Sequence, residues 1–160
     1  MTGSYIPAFI DALLDALNAV TWPGNTPQIV EGPWDLATSN AVIVGGTAES
    51  EGESFRDGFA FDPSMMETFT VDVTLVAGQH STAADARRAV FAYFDALWDA
   101  VQTATAVSGG WEGIVDSDVL ETIGLDVRQP EHFPATKDER GFECRVMTGI
   151  RVRARLTVPT

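Results

Sequence analysis

Residues 142–158 read FECRVMTGIRVRARLTV, and this is the most regular pattern in the chain. Every even-numbered position from Phe142 to Val158 is apolar or nearly so, whereas four of the odd positions hold arginine. A repeat of two residues is typical of a β-strand that buries one face. The stretch therefore predicts a strand with one buried face and one face that carries arginines.

The length of this pattern has a structural consequence. At about 3.3 Å per residue, the stretch reaches on the order of 55 Å, whereas a compact domain of this size is only about 40 Å across. Two alternatives follow. Met147-Thr148-Gly149 forms a bulge or turn that splits the strand, as an isolated glycine in a strand suggests, or part of the strand projects towards another chain.

Two amphipathic helices are predicted outside this strand. The first opens at Ser4, with Pro7 in its first turn, and its apolar residues recur at helical spacing. They are Ile6, Phe9, Ile10, Leu13, Leu17 and Val20. The second opens at Ser81-Thr82, with Asp85 three residues after Thr82, in the manner of a capping box. We predict that its apolar stripe is buried in the core. The stripe comprises Val90, Phe91, Phe94, Leu97, Trp98 and Val101.

Shorter apolar runs predict further strands at residues 28–30, 41–44, 66–76 and 122–128. The acidic, glycine-rich segment from Gly45 to Met65 is interpreted as a long hairpin arm. Its phenylalanines, Phe55, Phe59 and Phe61, pack either on their own domain or on a neighbour. The predicted fold is one α/β (α+β) domain over residues 1–160. It has a mixed, mainly antiparallel sheet flanked by two amphipathic helices, with a long hairpin arm.

The charge of the chain is large and unevenly distributed. The net charge is −13; residues 1–80 contain eleven acids and one base, whereas residues 81–160 contain twelve acids and nine bases. Such a surface repels DNA phosphates, so tight DNA binding is not expected. It permits a wall past which DNA slides, a face that docks a basic partner, or simple solubility. The candidates for an acidic arm or lumen are Glu49, Glu51, Glu53 and Asp57.

Arg151, Arg153 and Arg155 are candidate subunit-interface residues, together with Phe55, Phe59 and Phe61. Alternate spacing places the three guanidinium groups in a row, which suits carboxylates or phosphates. Because the chain itself has excess carboxylates, the simplest partner is an acidic surface of the same chain or of a sibling subunit. A solvated sheet face is the alternative.

The sequence contains no motif that predicts catalysis or a cofactor. It has no phosphate-binding loop, nucleophile elbow, Cys-x-x-Cys pair or His-Glu-x-x-His. His80 is expected at a helix entrance and His132 in a proline-flanked loop, so neither predicts a metal site. The pairs Asp11/Asp15 and Asp95/Asp99 are expected on solvated helix faces, and Cys144 as a buried hydrophobe. We therefore expect a non-enzymatic protein without cofactor or metal, and no membrane span or signal peptide.

Three stretches carry a resemblance to a known family. They are Ile6-Pro7-Ala8-Phe9-Ile10-Asp11-Ala12-Leu13, the strand Val71 to Val76 followed by Ala83-Ala84-Asp85-Ala86-Arg87-Arg88, and the terminal arginine-alternating strand. With the order of elements, they resemble the tail terminator proteins of long-tailed (siphovirus-type) bacteriophages, particularly those of actinobacterial hosts. The resemblance spans nearly the whole chain but includes no catalytic-type signature.

The resemblance implies a structural virion protein, assembled in the host cytoplasm and located at the neck of the tail. It implies a homo-oligomeric ring, a hexamer, at the head-proximal end of the tail tube. That ring stops tube polymerisation and joins the tube protein to the head–tail connector, while DNA passes through without specific binding. Another neck or head-closure protein, or a small acidic inhibitor that mimics DNA, remains the alternative.

Overall fold

The part of the chain that the structure describes contains two helices and a seven-stranded sheet. The structure is a computed structural model that describes residues 6–32, 40–45, 55–57, 64–106, 124–127 and 131–157. The helices are α1 (Ile6–Asn18) and α2 (Ala83–Ala106). The strands are β1 (Gln28–Glu31), β2 (Ala41–Val44), β3 (Phe55–Asp57), β4 (Ser64–His80), β5 (Gly124–Val127), β6 (Glu131–Asp138) and β7 (Gly141–Thr157).

The sheet is mixed and mainly antiparallel, which confirms the predicted fold class. Its main order is β1-β2-β4-β7-β5, while β3 pairs with β4 and β6 pairs with β7. Strands β1 and β2 are parallel, and the other pairings within the described residues are antiparallel. Strand β3 lies within the predicted arm and pairs with β4. The remainder of the arm, at 46–54 and 58–63, lies outside the described residues.

Strands β4 and β7 form a ribbon in which each strand has 17 residues. The register is continuous from Ser64 opposite Thr157 to Ala77 opposite Cys144. The first of the two alternatives, a break at Met147-Thr148-Gly149, is therefore wrong. Gly149 pairs in register with Asp72, because an equally long partner continues the antiparallel ladder through the glycine. The irregularity lies instead between Ala77 and His80, where Gln79 has a φ of 62°. Projection of the ribbon towards another chain remains a prediction.

The main core lies between the two helices and one face of the sheet. Helix α1 buries Phe9, Leu13 and Leu17, as its periodicity predicts. The buried sheet residues on this side alternate along the two long strands. They are Val71, Val73, Leu75 and Ala77 on β4, and Cys144, Val146 and Ile150 on β7.

The buried line of α2 differs from the predicted aromatic stripe. It runs through Ala86, Val90, Tyr93, Leu97 and Val101. Phe91 and Phe94 are half-buried at its side, and Trp98 is 39% exposed. Successive helical residues are rotated by about 100°, so Trp98 leaves the core face that its neighbour Leu97 occupies. The prediction that Trp98 is core was wrong.

A hydrogen-bonded aromatic pair fixes the segment after α1. Trp22 is buried, and its indole Nε1 donates to the Leu17 carbonyl oxygen at 3.1 Å. Its ring meets Tyr93 edge-on, with centroids 5.8 Å apart. The Tyr93 hydroxyl donates to the Asn25 carbonyl oxygen. The turn between α1 and β1 is thereby attached to the middle of α2.

Two local predictions have opposite outcomes. The Thr82 cap is confirmed, since its Oγ1 accepts the Asp85 backbone N–H at 3.1 Å. His132 lies in β6, opposite Val146, and not in a loop. The neighbouring proline misled the prediction because proline is tolerated in an edge strand at an irregularity, and the β6–β7 register shifts between Phe133 and Thr136. Ser4 lies outside the described residues.

Candidate functional site

The sheet has a second face, opposite the helices, that contains the candidate arginines. Because the β4–β7 register is unbroken up to Ala77, every position alternates between the two faces. We call the face opposite the helices the rear face. It is defined by Asp72, Thr74 and Val76 of β4, by Arg145 and Met147 of β7, and by all positions in register with them.

Near β2 the rear face is partly apolar and carries an ion pair. Ala41, Ile43 and Val76 are buried in a small second cluster. On β7, the Arg145 Nε donates to the Glu143 Oε1 at 2.7 Å. The Glu143 side chain is only 18% exposed and that of Arg145 is 43% exposed. This end of the rear face is therefore not a uniformly solvated surface.

The three candidate arginines lie farther along the same face. In register, Arg151 is opposite Thr70 of β4 and Asp126 of β5. Arg153 is opposite Thr68 on β4, and Arg155 opposite Met66. The register assigns these three positions to the rear face, opposite the face on which Cys144, Val146 and Ile150 are buried.

Two residues of the predicted arm join this patch. Phe55 pairs with Thr68 and therefore shares a row of the sheet with Arg153; Asp57 pairs with Met66 and shares a row with Arg155. Each of these pairs is two strands apart, about 10 Å. Four candidate interface residues and one residue assigned to the acidic arm or lumen therefore belong to one area. We call it the rear patch: residues 55, 57, 151, 153 and 155, with Asp126.

The other candidates are not placed. Phe59, Phe61, Glu49, Glu51 and Glu53 lie outside the described residues. Asp57 was assigned to an acidic arm or lumen, yet its register places it beside arginine positions. Asp126 and Glu143 were missed. Both lie within predicted strands, but only the pairing with β7 relates Asp126 to Arg151, and Glu143 to a half-buried ion pair.

The outer surface of the helices is acidic, as predicted. Asp11 and Asp15 on α1 and Asp95 and Asp99 on α2 are all exposed. A groove of about 490 Å³ lies between the ends of α1 and α2, and Asp99 stands among its lining residues. The rest of the lining is small: Ala16, Ala19, Val20, Thr21, Ala96, Ala100, Thr103 and Ala104.

The titratable residues singled out from the sequence lie apart. His80 is opposite Phe142 on one side of β7, and His132 is opposite Val146 on the other. Phe142 and Val146, the partners of the two histidines, are four residues apart on β7, which corresponds to about 13 Å. Within the described ranges, no group of three or more His, Cys, Asp or Glu side chains is arranged to hold a metal ion. In the same ranges no helix is long and apolar enough to cross a membrane.

Cys144 behaves as a small core hydrophobe, as predicted. Its side chain is 1% exposed between α2 and the sheet. Burial raises the pKa of the thiol above its ordinary value, because the thiolate would lose its hydration there. The raised pKa keeps the thiol protonated and unreactive near neutral pH.

No protein-family model matches the sequence, and no curated protein matches it. The function is therefore inferred from the surfaces of the chain itself.

Proposed function

We propose that this chain is a structural subunit whose role is to assemble with copies of itself. Specifically, we propose a tail terminator of a long-tailed bacteriophage. It would form a hexameric ring at the head-proximal end of the tail tube, stop tube polymerisation and provide the joint to the head connector. Its partners would be sibling subunits, the tube protein and the connector, within the virion.

One observation carries the proposal: the β4–β7 ribbon is longer than the helix layer beside it. Each of its strands has 17 residues, so the ribbon spans about 55 Å. Helix α2 has 24 residues and spans about 36 Å. The ribbon is therefore about 20 Å longer than α2. A long ribbon of this kind, with arginines on its rear face, supports contact between subunits.

The charge of the chain agrees with a conduit for DNA. With a net charge of −13, a ring of these subunits would repel phosphates and let a genome pass without being held. Glu49, Glu51 and Glu53 are the residues proposed to face that opening. The arginines would instead contact carboxylates of a neighbouring subunit, where charge pairs set register and specificity.

The test is the oligomeric state of the purified chain. We expect light scattering to give a mass that rises with concentration to six times the 17.2 kDa of one chain. Electron microscopy should show rings with a central hole. Replacing Arg151 and Arg153 by alanine should dissociate them. The matched control, Arg87→Ala with Arg88→Ala, removes equal charge from exposed positions on α2 and should leave them intact. A monomer at all concentrations would contradict the proposal.

Two other functions remain as alternatives. Another neck or head-closure protein would also form rings but would not arrest polymerisation of the tube protein. A small acidic inhibitor is favoured by the eleven acids and single base of residues 1–80. It would be monomeric or dimeric and would bind a basic partner with an affinity that falls steeply with salt.

A further inference from the structure

The outward face of α2 combines two acidic side chains with an exposed tryptophan. Asp95 and Asp99 are both exposed and lie one helical turn apart, while Trp98 is three residues from Asp95. Like charges at this spacing repel each other and weaken the helix. No ion pair within the described part of the chain relieves them. Trp98 is a large apolar side chain that is 39% exposed.

Two arginine positions of the rear patch, which also contains Asp57 and Asp126, have the complementary charge at a matching spacing. Alternate residues on a strand are about 6.6 Å apart, so this distance separates the positions of Arg151 and Arg153. Four residues on a helix rise about 6 Å, which separates Asp95 from Asp99. Two arginines of one strand therefore match the two aspartates of one helical turn. An arginine also stacks well on an exposed indole ring.

Within one chain these two surfaces are unable to meet. Helix α2 packs on one face of the sheet through Val90, Tyr93 and Leu97, and the register assigns Arg151 and Arg153 to the opposite face. The complementary charges thus lie on opposite sides of the same domain. Such an arrangement suits a head-to-tail contact, in which each copy uses one surface towards each neighbour.

We propose that Asp95, Trp98 and Asp99 of one copy bind Arg151 and Arg153 of a second copy. The inference rests on the proposed function, because it names the two surfaces through which the assembly forms. The contact is heterologous, so repeating it closes a ring when the rotation between neighbours divides a full turn. Trp98 is the apolar anchor, and the two aspartates fix which arginines lie beside it.

A charge exchange tests this contact. The α2 variant carries Asp95→Arg with Asp99→Arg, and the β7 variant carries Arg151→Asp with Arg153→Asp. We expect each variant alone to be monomeric at concentrations at which the parent forms rings. An equimolar mixture of the two should form rings of alternating variants, because one contact is then native and the next has both charges reversed. Trp98→Ala should weaken association by at least about tenfold.

A control separates this contact from general charge. The α1 control, Asp11→Arg with Asp15→Arg, makes the same charge change at exposed positions of the other helix. Both it and the α2 variant become less acidic than the parent, so weaker self-repulsion would favour their association. Dissociation of the α2 variant alone, with circular dichroism showing a folded chain, therefore supports the local contact.

The outcomes also separate this inference from the proposed function. If the parent forms rings and the α2 variant forms them equally well, the inference is overturned and the proposed function stands. If the α1 control dissociates as fully as the α2 variant, or the mixture fails to assemble, the inference is likewise overturned. A parent that stays monomeric at every concentration overturns both.

Discussion

Gly141 lies directly against the carbonyl oxygen of His80. A Cβ atom at position 141 would be 2.6 Å from that oxygen, and the φ of Gly141 is 123°. L-residues that carry a side chain rarely adopt this backbone conformation. Gly141 begins β7 after the Glu139–Arg140 turn, and His80 ends β4. The close approach therefore fixes the β6–β7 hairpin against the entrance to α2.

Replacing Gly141 by alanine should destabilise the fold because backbone strain and a clash with backbone coincide. We expect a loss of about 2–4 kcal/mol in the free energy of unfolding, measured by urea denaturation. Gly24→Ala is the matched control, since Gly24 has a φ of 67° and nothing within 4 Å of the added Cβ. That change should cost only about 1 kcal/mol. Equal losses would contradict the role of the His80 carbonyl.

The Tyr93 hydroxyl should stabilise the segment between α1 and β1. Tyr93→Phe keeps the buried ring and its edge-on contact with Trp22 but removes the hydrogen bond to the Asn25 carbonyl. We expect a loss of about 1 kcal/mol in the free energy of unfolding measured by urea denaturation. The slope of that free energy against urea concentration should stay unchanged. An unchanged midpoint would show that water replaces the hydroxyl at no cost.

Cys144 should make the folded state sensitive to alkali. Burial raises the pKa of its thiol above 9.0, the ordinary value. The folded chain thus holds the proton more tightly than the unfolded chain does. This contribution to stability is fully present below about pH 9 and is lost as pH rises through the folded pKa. Above that pH, the free energy of unfolding of the parent should fall faster than that of the Cys144→Val variant. Parallel pH profiles would contradict this expectation.

Cys144 should also be protected from thiol reagents. Its side chain is 1% exposed, and only the thiolate reacts readily. We expect no labelling of the native chain near neutral pH and complete labelling in denaturant, followed by absorbance of the released chromophore. Rapid labelling of the native chain would mean that the strands around Cys144 open easily.

The Thr82 cap should contribute to the stability of α2. Its Oγ1 accepts the N–H of Asp85 at 3.1 Å. Removing that acceptor by Thr82→Ala leaves a donor of the first helical turn without this partner, and we expect a loss of about 1 kcal/mol in thermal or urea unfolding. Ser81→Ala, at the exposed neighbouring residue, is the control and should have a much smaller effect. Similar losses would argue against the cap.

Local periodicity predicted most of the elements but not their partners. The buried residues Phe9, Leu13 and Leu17 follow directly from the spacing in α1. The same reasoning failed for Trp98, because a broad apolar stripe contains several possible core lines and packing against the sheet selected the one through Tyr93. It left open whether β7 is interrupted at Gly149, because whether a glycine interrupts a strand depends on the partner that lies opposite.

By itself, the sequence determined the two helices, the alternation of β7, the acidic charge and the buried character of Cys144. Each is a property of neighbouring residues or of composition. Only the tertiary structure decided that Phe55 and Asp57 share rows with Arg153 and Arg155, and that Asp126 is opposite Arg151. Register is set by pairing between segments far apart in the chain, and no short stretch of sequence contains that information.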